Sequence, residues 1–414
     1  MISIIFMILA SPCAGPGQED NENLADSPVP VEEVVDSVVV STEPTGIKQT
    51  KPAIYVYVEN SGSMYGYVGT GDGSDFRNMV FNYLTDIKVS RLFQTMHLNF
   101  INSKVVKVPG EVDDFVKKLT PNSFKVSGGN SGTTDIVEVI KRMYPKSGEV
   151  AVLVSDCIVS PGKGKNASQY LVNQQTGLKG FLGQRKDLQN TGIVIYRMLG
   201  RFKGKYYNEV DDSQWYEGVR PYYVWVIGDV KTLKQLRSVT EPKMKTRPDE
   251  MCVISTGTPR LNYNIVQAGG RYRLSHSNKF TIEKLKKMRT KDGKRAVVKL
   301  NVDYSNLLQD SAYLTDVRNY QTSDPSFRVD NVVKMDNSHY VITLSSPVVK
   351  KCTLAVRLKN NIPGWVSRCS DEDGGFPNSK KSQTTYGLAY LIGGAYDAYT
   401  FHSHILAEMK INIK

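Results

Sequence analysis

The stretch Tyr55-Val-Tyr-Val-Glu-Asn-Ser-Gly-Ser-Met64 changes abruptly from an apolar run to a carboxylate, two hydroxyls and a glycine. Ile54, Tyr55, Val56, Tyr57 and Val58 are β-branched or aromatic, and a near-continuous apolar run suits a strand covered on both faces. Glu59, Ser61 and Ser63 alternate at the carboxyl end of that strand, which is where open α/β sheets place their ligand sites.

The next segments continue the alternation of strand and helix. Tyr65–Ser74 is rich in glycine and tyrosine and reads as a loop. Asp75–Val89 carries Phe76, Met79, Val80, Tyr83, Leu84 and Ile87 near helical spacing. Gln94–Ile101 alternates as a strand, and Val112–Leu119 is a short amphipathic helix. In Ser127-Gly-Gly-Asn-Ser-Gly-Thr-Thr-Asp-Ile136 the glycines bring backbone close to a ligand, and Thr133 or Thr134 caps a helix over Asp135–Met143. Glu149-Val-Ala-Val-Leu-Val-Ser-Asp156 is a buried strand ending in a hydroxyl and a carboxylate. Asn166–Leu188 reads as helix broken by Gly177, Gly180 and Gly183. Gly192–Leu199 and Pro221–Ile227 are strands, and Val230–Leu236 begins a closing helix. Between those two strands, the polar and aromatic Arg201–Arg220 reads as a hairpin insertion. Its Tyr206, Tyr207, Trp215 and Tyr216 either pack against the sheet edge, the simpler expectation, or face a partner.

Three of these pieces together resemble the von Willebrand factor A (vWA) domain. Glu59-Asn-Ser-Gly-Ser63 stands in the frame of the family's Asp-x-Ser-x-Ser motif, with Glu where the family has Asp. Thr134 before Asp135 is similar to the family's loop threonine, with Thr133 as the neighbouring choice. Asp156 stands where the family places its last aspartate. The resemblance implies an α/β doubly wound, Rossmann-like fold over residues 51–240 and a metal-ion-dependent adhesion site. It also implies that Ser61, Ser63 and Thr134 bind the ion through hydroxyls, while Glu59 and Asp156 act directly or through water. Such donors suit a hard cation, so Mg²⁺ is expected, with Ca²⁺ or Mn²⁺ as alternatives. The open position would accept a carboxylate from a protein partner. Glu59 carries one methylene more than the family's Asp. That length either lets it bind directly, favours a looser ion than Mg²⁺, or leaves the site empty with Glu59 hydrogen-bonded to the loop hydroxyls.

The ends of the chain set the context. Ile2–Ala10 is an apolar run too short for a membrane span, and it fits the core of a signal peptide at 1–14. Ser11-Pro-Cys-Ala-Gly15 resembles a bacterial lipoprotein signal with Cys13 as the lipidated residue. It departs from that pattern in lacking an upstream Lys or Arg and in having Pro12. Residues 15–50 carry Lys48 as their only base and read as a flexible acidic linker. These features place the protein at a bacterial cell envelope, lipid-anchored or periplasmic. The five cysteines form no Cys-x-x-Cys pair, so zinc is not expected. Cys352 and Cys369 either pair in an oxidising compartment or stay as thiols.

The net charge of +12 makes the folded remainder basic. Its lysines are spread along the sequence without interleaved aromatics, so a solvated surface is the simpler expectation than an anion-binding one, and no nucleic-acid partner is expected. Residues 241–264 hold Pro242, Pro248, Gly257 and Pro259 and read as a linker. From 265 to 414 the rhythm is that of a mainly β, sandwich-like domain. Its strands are expected over Arg295–Val302, Ser326–Val333, Tyr340–Leu344, Thr353–Leu358 and Met409–Ile413, with one helix in Thr385–Tyr399. Asp371-Glu-Asp-Gly-Gly375 lacks the remaining spacing of a calcium loop and reads as a solvated turn. His402 and His404 lack a third ligand, and Trp365 reads as core.

No Gly-x-Ser-x-Gly elbow, His-Glu-x-x-His or phosphate loop appears. The expected function is therefore recognition, not catalysis: an exported vWA module binding a protein that offers an acidic residue, with membrane contact only through a lipid anchor. The alternatives are a cytoplasmic vWA adaptor of an AAA-type ATPase and a hydrolase using Ser61.

Overall fold

In the computed structural model, described over residues 51–70, 74–130, 132, 134–258, 261–266 and 272–414, Ala53–Glu59 (β1) is an inner strand of a seven-stranded sheet. The other strands are β2 Thr95–Ile101, β3 Val105–Lys107, β4 Val150–Ser155, β5 Thr191–Tyr207, β6 Ser213–Asp229 and β7 Glu250–Ser255, in the spatial order β3-β2-β1-β4-β6-β5-β7. β1 pairs in parallel with β2 and β4. The expectations for 1–14 and 15–50, including Cys13, lie outside the described residues.

Successive side chains of a strand point to opposite faces, so β1 feeds two cores. Ile54, Val56 and Val58 pack with Phe76, Met79, Phe115, Phe124, Leu233 and Leu236. These come from helices α2 (Asp75–Ser90), α3 (Val112–Lys117), α4 (Pro121–Val126) and α7 (Val230–Thr240), which follow a short α1 (Tyr65–Val68). Tyr57, with Ala151 and Leu153 of β4, packs on the other face against Ile136, Ile140, Leu171 and Leu178 of α5 (Ile136–Met143) and α6 (Ala167–Gly183).

The doubly wound expectation holds in its coarse form, an α/β layer with helices on both faces followed by a largely β region. Its parallel character is confined to β2, β1 and β4. β4 pairs antiparallel with β6, β6 with β5, and β5 with β7. For β5 and β6 the cause is local: they are joined only by residues 208–212, and so short a connection can link only antiparallel neighbours. Asn208 Oδ1 holds the turn by accepting from Val210 N (3.2 Å) and Asp212 N (2.8 Å). The expected hairpin is thus the upper half of two 17-residue strands, which rise past the carboxyl end of β4.

Three boundaries are corrected. α6 runs unbroken through Gly177 and Gly180, because Leu171, Leu178 and Leu182 anchor one face of it in the core. The expected linker 241–264 contains β7, whose Cys252 and Ile254 are buried against β5. The helix foreseen in the β region, Leu388–Tyr399, covers the first sheet: Leu388, Leu391 and Ile392 share a core with Leu178 and Trp225. Its backbone closes on α6 so tightly that a Cβ on Gly394 would lie 2.5 Å from the Gln175 carbonyl oxygen.

The expected β strands form with shifted ends. One five-stranded sheet orders Tyr320–Thr322, Cys352–Lys359, Ile405–Ile413, Thr281–Glu283 and Arg273–Leu274. The second orders Met288–Thr290, Gly293–Asp303, His339–Ser346 and Arg328–Lys334, with Asn262–Val266 also on Gly293–Asp303. Val298, Leu300, Ile342, Leu354 and Met409 fill the core between them. Cys352 and Cys369 are both free thiols. Trp365 is core, its Nε1 donating to Met251 O (3.0 Å). The α/β and β parts belong to one compact unit, Thr50–Lys414.

Candidate functional site

β1 and β4 lie side by side in register, Val58 opposite Val154, so Glu59 and Ser155 leave the sheet together. Both chains then turn away, β1 into a 3-10 turn over Gly62–Met64 and β4 into a loop through Asp156. The third segment is the glycine-rich loop before α5. Asn60 Nδ2 donates to Phe124 O (3.2 Å), while Asn102 Nδ2 donates to Asn60 Oδ1 (3.0 Å) and to Gly128 O (3.0 Å). These buried amides pin the loop to the ends of β1 and β2. Gly129 has φ +84°, and a Cβ there would lie 2.0 Å from Asn102 Oδ1. Gly129→Val therefore expels the loop, at roughly 1–3 kcal/mol of stability. Gly148→Val, at φ +81° with open space around it, bears only the backbone strain. Melting curves of the two variants check this, with the larger drop expected for Gly129→Val.

The five residues singled out in the sequence meet around one cleft. Glu59, Ser61, Ser63, Thr134 and Asp156 all line it, with a cavity of about 40 Å³, room for an ion and a few waters. Glu59 and Asp156 are 3% and 4% exposed. Ser61 Oγ and Ser63 Oγ are 2.9 Å apart. Thr134 is released from the capping role expected of it. The helix starts at Ile136, and Asp135 Oδ1 caps it by accepting from Val137 N (3.0 Å) and Glu138 N (3.1 Å). Thr134 Oγ1 is buried and has no hydrogen-bond partner among the described residues, although it lies near enough to Glu59 to favour its charge. Thr133 lies outside the described residues.

Glu59 spends its extra methylene in reaching Ser155, whose Oγ donates to Glu59 Oε2, and not in bonding to the loop hydroxyls alone. Ser155 Oγ in turn accepts from Cys157 N (2.8 Å). Burial, reinforced by the neighbouring Asp156 charge, pushes Glu59 up to about 7 against the pull of its hydroxyl neighbours. Burial also raises Asp156, opposed by Ser63, the Ile158 amide and the Arg220 cation. Two buried acids are thus held together without enough positive charge to keep both ionised.

The hairpin supplies the far wall. Tyr207, Asn208 and Asp211 line the cleft with Ser160 and Gly132. Neither Ser155 nor this wall is marked in the sequence: Ser155 is an ordinary strand-end hydroxyl, and the wall depends on a long-range pairing. The four hairpin aromatics divide between packing and exposure: Tyr206 is buried, Tyr207 and Tyr216 are half-buried, and Trp215 is 63% exposed. Arg220, 3% exposed, stacks 4.7 Å from the Tyr206 ring and donates to Lys381 O (3.2 Å) and Ser382 O (3.1 Å).

The other sequence candidates fall elsewhere. His402 and His404 lie in a bend before the last strand, His404 Nδ1 being 3.2 Å from Tyr396 OH. Asp371 is held by Lys381 Nζ (3.0 Å), which also donates to Gly374 O (3.0 Å), so a lysine closes that acidic turn. Among the described residues no three His, Cys, Asp or Glu side chains converge as a metal cluster, and no helix is long and apolar enough to cross a membrane. The cleft at β1 differs from such a cluster in pairing two acids with three hydroxyls. Its oxygen-only donor set, paired buried acids and unpartnered Thr134 Oγ1 fit a hard divalent cation. Comparison with family models, curated proteins and solved structures finds no match for this chain.

Proposed function

We propose that this chain is a vWA-type binding module, exported to a bacterial cell envelope, that recruits a protein partner through a divalent cation. The observation that carries this is the convergence of Glu59, Ser61, Ser63, Thr134 and Asp156 on one cleft from three separate loops, with Thr134 Oγ1 unpartnered. Ser61, Ser63 and Thr134 would hold the ion through hydroxyls, and Asp156 and Glu59 would balance its charge. Mg²⁺ is the first expectation, with Ca²⁺ and Mn²⁺ as looser fits. A bound cation supplies an electrophilic point for a partner's carboxylate, and the chain's own residues orient that contact.

Binding is favoured over hydrolysis because Ser61 Oγ bonds to Ser63, and among the described residues no histidine lines the cleft to activate it. His97 is remote from it, stacked on Tyr55 at the opposite end of β1. Exposed Trp215 on the hairpin that walls the cleft offers the kind of aromatic anchor that interfaces use. Cross-linking pull-down from envelope fractions tests the reading. A partner is recovered in Mg²⁺ and lost in EDTA or with Asp156→Ala; recovery unchanged by either treatment rules the reading out.

A further inference from the structure

The fold adds distant cations to a basic run of the sequence at one place. Asn360 Nδ2 donates to Ser255 O (2.9 Å), Thr258 N to Leu406 O (2.8 Å) and Lys234 Nζ to Tyr304 O (3.1 Å). These bonds join one end of the β sandwich to the α/β layer. The opposite end holds the start of Gly293–Asp303, the start of Cys352–Lys359 and the finish of Ile405–Ile413. That distal end is where the positive charge collects.

Residues 284–295 contain seven Lys or Arg and one acid. Lys284, Lys286, Lys287, Arg289, Lys291 and Lys294 are exposed, and none of them forms an ion pair among the described residues. In the hairpin made by Met288–Thr290 and Gly293–Asp303, Arg289 lies directly opposite Lys294. Like charges so placed cost stability unless something anionic lies over them. The nearby acids are already engaged: Glu283 with Arg273 (2.7 Å), Asp292 with Arg328 and Asp324 with Lys350 (2.7 Å). Lys351 and Lys414 add exposed cations at the same end, Lys414 N donating to Ile282 O (3.0 Å). Beside them, after Pro347, Val348 and Val349 are 43% and 40% exposed.

We propose that this distal end docks on an anionic phospholipid surface. The cations meet head-group phosphates while Val348 and Val349 enter the head-group layer. Aliphatic side chains set among lysines suit a bilayer surface, whereas single-stranded nucleic acid is held on aromatic platforms. Each cation near such a surface adds attraction that salt screens. The surface lies away from the cleft and stands independently of the cation site.

Sedimentation of the full chain with vesicles tests this. Phosphatidylcholine vesicles read whatever the N-terminal residues contribute, and vesicles containing phosphatidylglycerol read the charge. The chain is expected to favour the latter by about tenfold or more, with the preference fading as salt rises from roughly 0.15 to 1 M. K286E/K287E/K294E is expected to lose that preference, and V348D/V349D to weaken binding severalfold without changing its salt dependence. V348D/V349D should keep the parent's melting temperature, and the charge-reversed variant should match or exceed it, because K294E sets an opposite charge across from Arg289. If the charge-reversed variant melts lower, V348D/V349D and the salt dependence of the parent chain decide. The proposal is overturned by equal sedimentation with both vesicle types, by charge-reversed protein that folds and binds like the parent, or by tighter capture of a DNA duplex than of the anionic vesicles.

Discussion

In EDTA, raising the pH from about 5 to about 8 lowers the stability of this protein by roughly 3 kcal/mol, and Glu59→Gln removes most of that loss. Glu59 is held at about 7 in the folded chain against an ordinary value of 4.5, first by burial and then by Asp156. A carboxyl whose folded value is raised keeps its proton in the native state after the unfolded chain has released it. Between about 4.5 and 7 the native state therefore binds more protons, and stability falls as pH rises; above 7 the full penalty is present. Asp156, also raised by burial, acts in the same direction. A divalent cation binds the deprotonated pair, so saturating Mg²⁺ should flatten or reverse this slope. Urea unfolding across that range, with and without Mg²⁺, checks both halves. A flat profile in EDTA that Glu59→Gln leaves unchanged contradicts the burial of an uncompensated pair.

Arg220→Met is expected to cost about 3 kcal/mol, the second large effect. Two carbonyls, Lys381 O and Ser382 O, lose their donor, and Asp156 loses a cation that opposes the effect of its burial. The methionine keeps much of the contact with Tyr206, so the loss reads the polar partners and not packing. Lys381→Ala, which removes a part-exposed lysine from Asp371, should cost less than about 1 kcal/mol. Denaturant midpoints of the two variants give the comparison, and equal losses contradict the assigned role of Arg220.

The site was more legible than the sheet around it. Ser61, Ser63 and Asp156 follow directly from strand-end chemistry, because a buried apolar run that stops in hydroxyls or a carboxylate must present them at its mouth. Thr134 lines the cleft, while the capping role expected of it falls to Asp135, whose carboxylate reaches two amides at once. The direction of β6 was not legible. An apolar strand reads the same whether its neighbour runs parallel or antiparallel, and only the short link at 208–212 decides it. The helix Leu388–Tyr399 was found by its periodicity, but nothing local shows that it docks on α6. The charged end of the sandwich rests on a run that the sequence does show, seven Lys or Arg in residues 284–295, but only register sets Arg289 across from Lys294 and only the fold brings Lys351 and Lys414 to the same end.

Calorimetric titration of the full chain with Mg²⁺, Ca²⁺ and Mn²⁺, beside Asp156→Ala, tests most directly whether the cleft is a cation site. The geometry predicts saturable binding of at least one ion at one site per chain, abolished in Asp156→Ala and accompanied by thermal stabilisation of the parent alone. Absence of heat and of stabilisation with all three ions, or binding that survives Asp156→Ala, contradicts it.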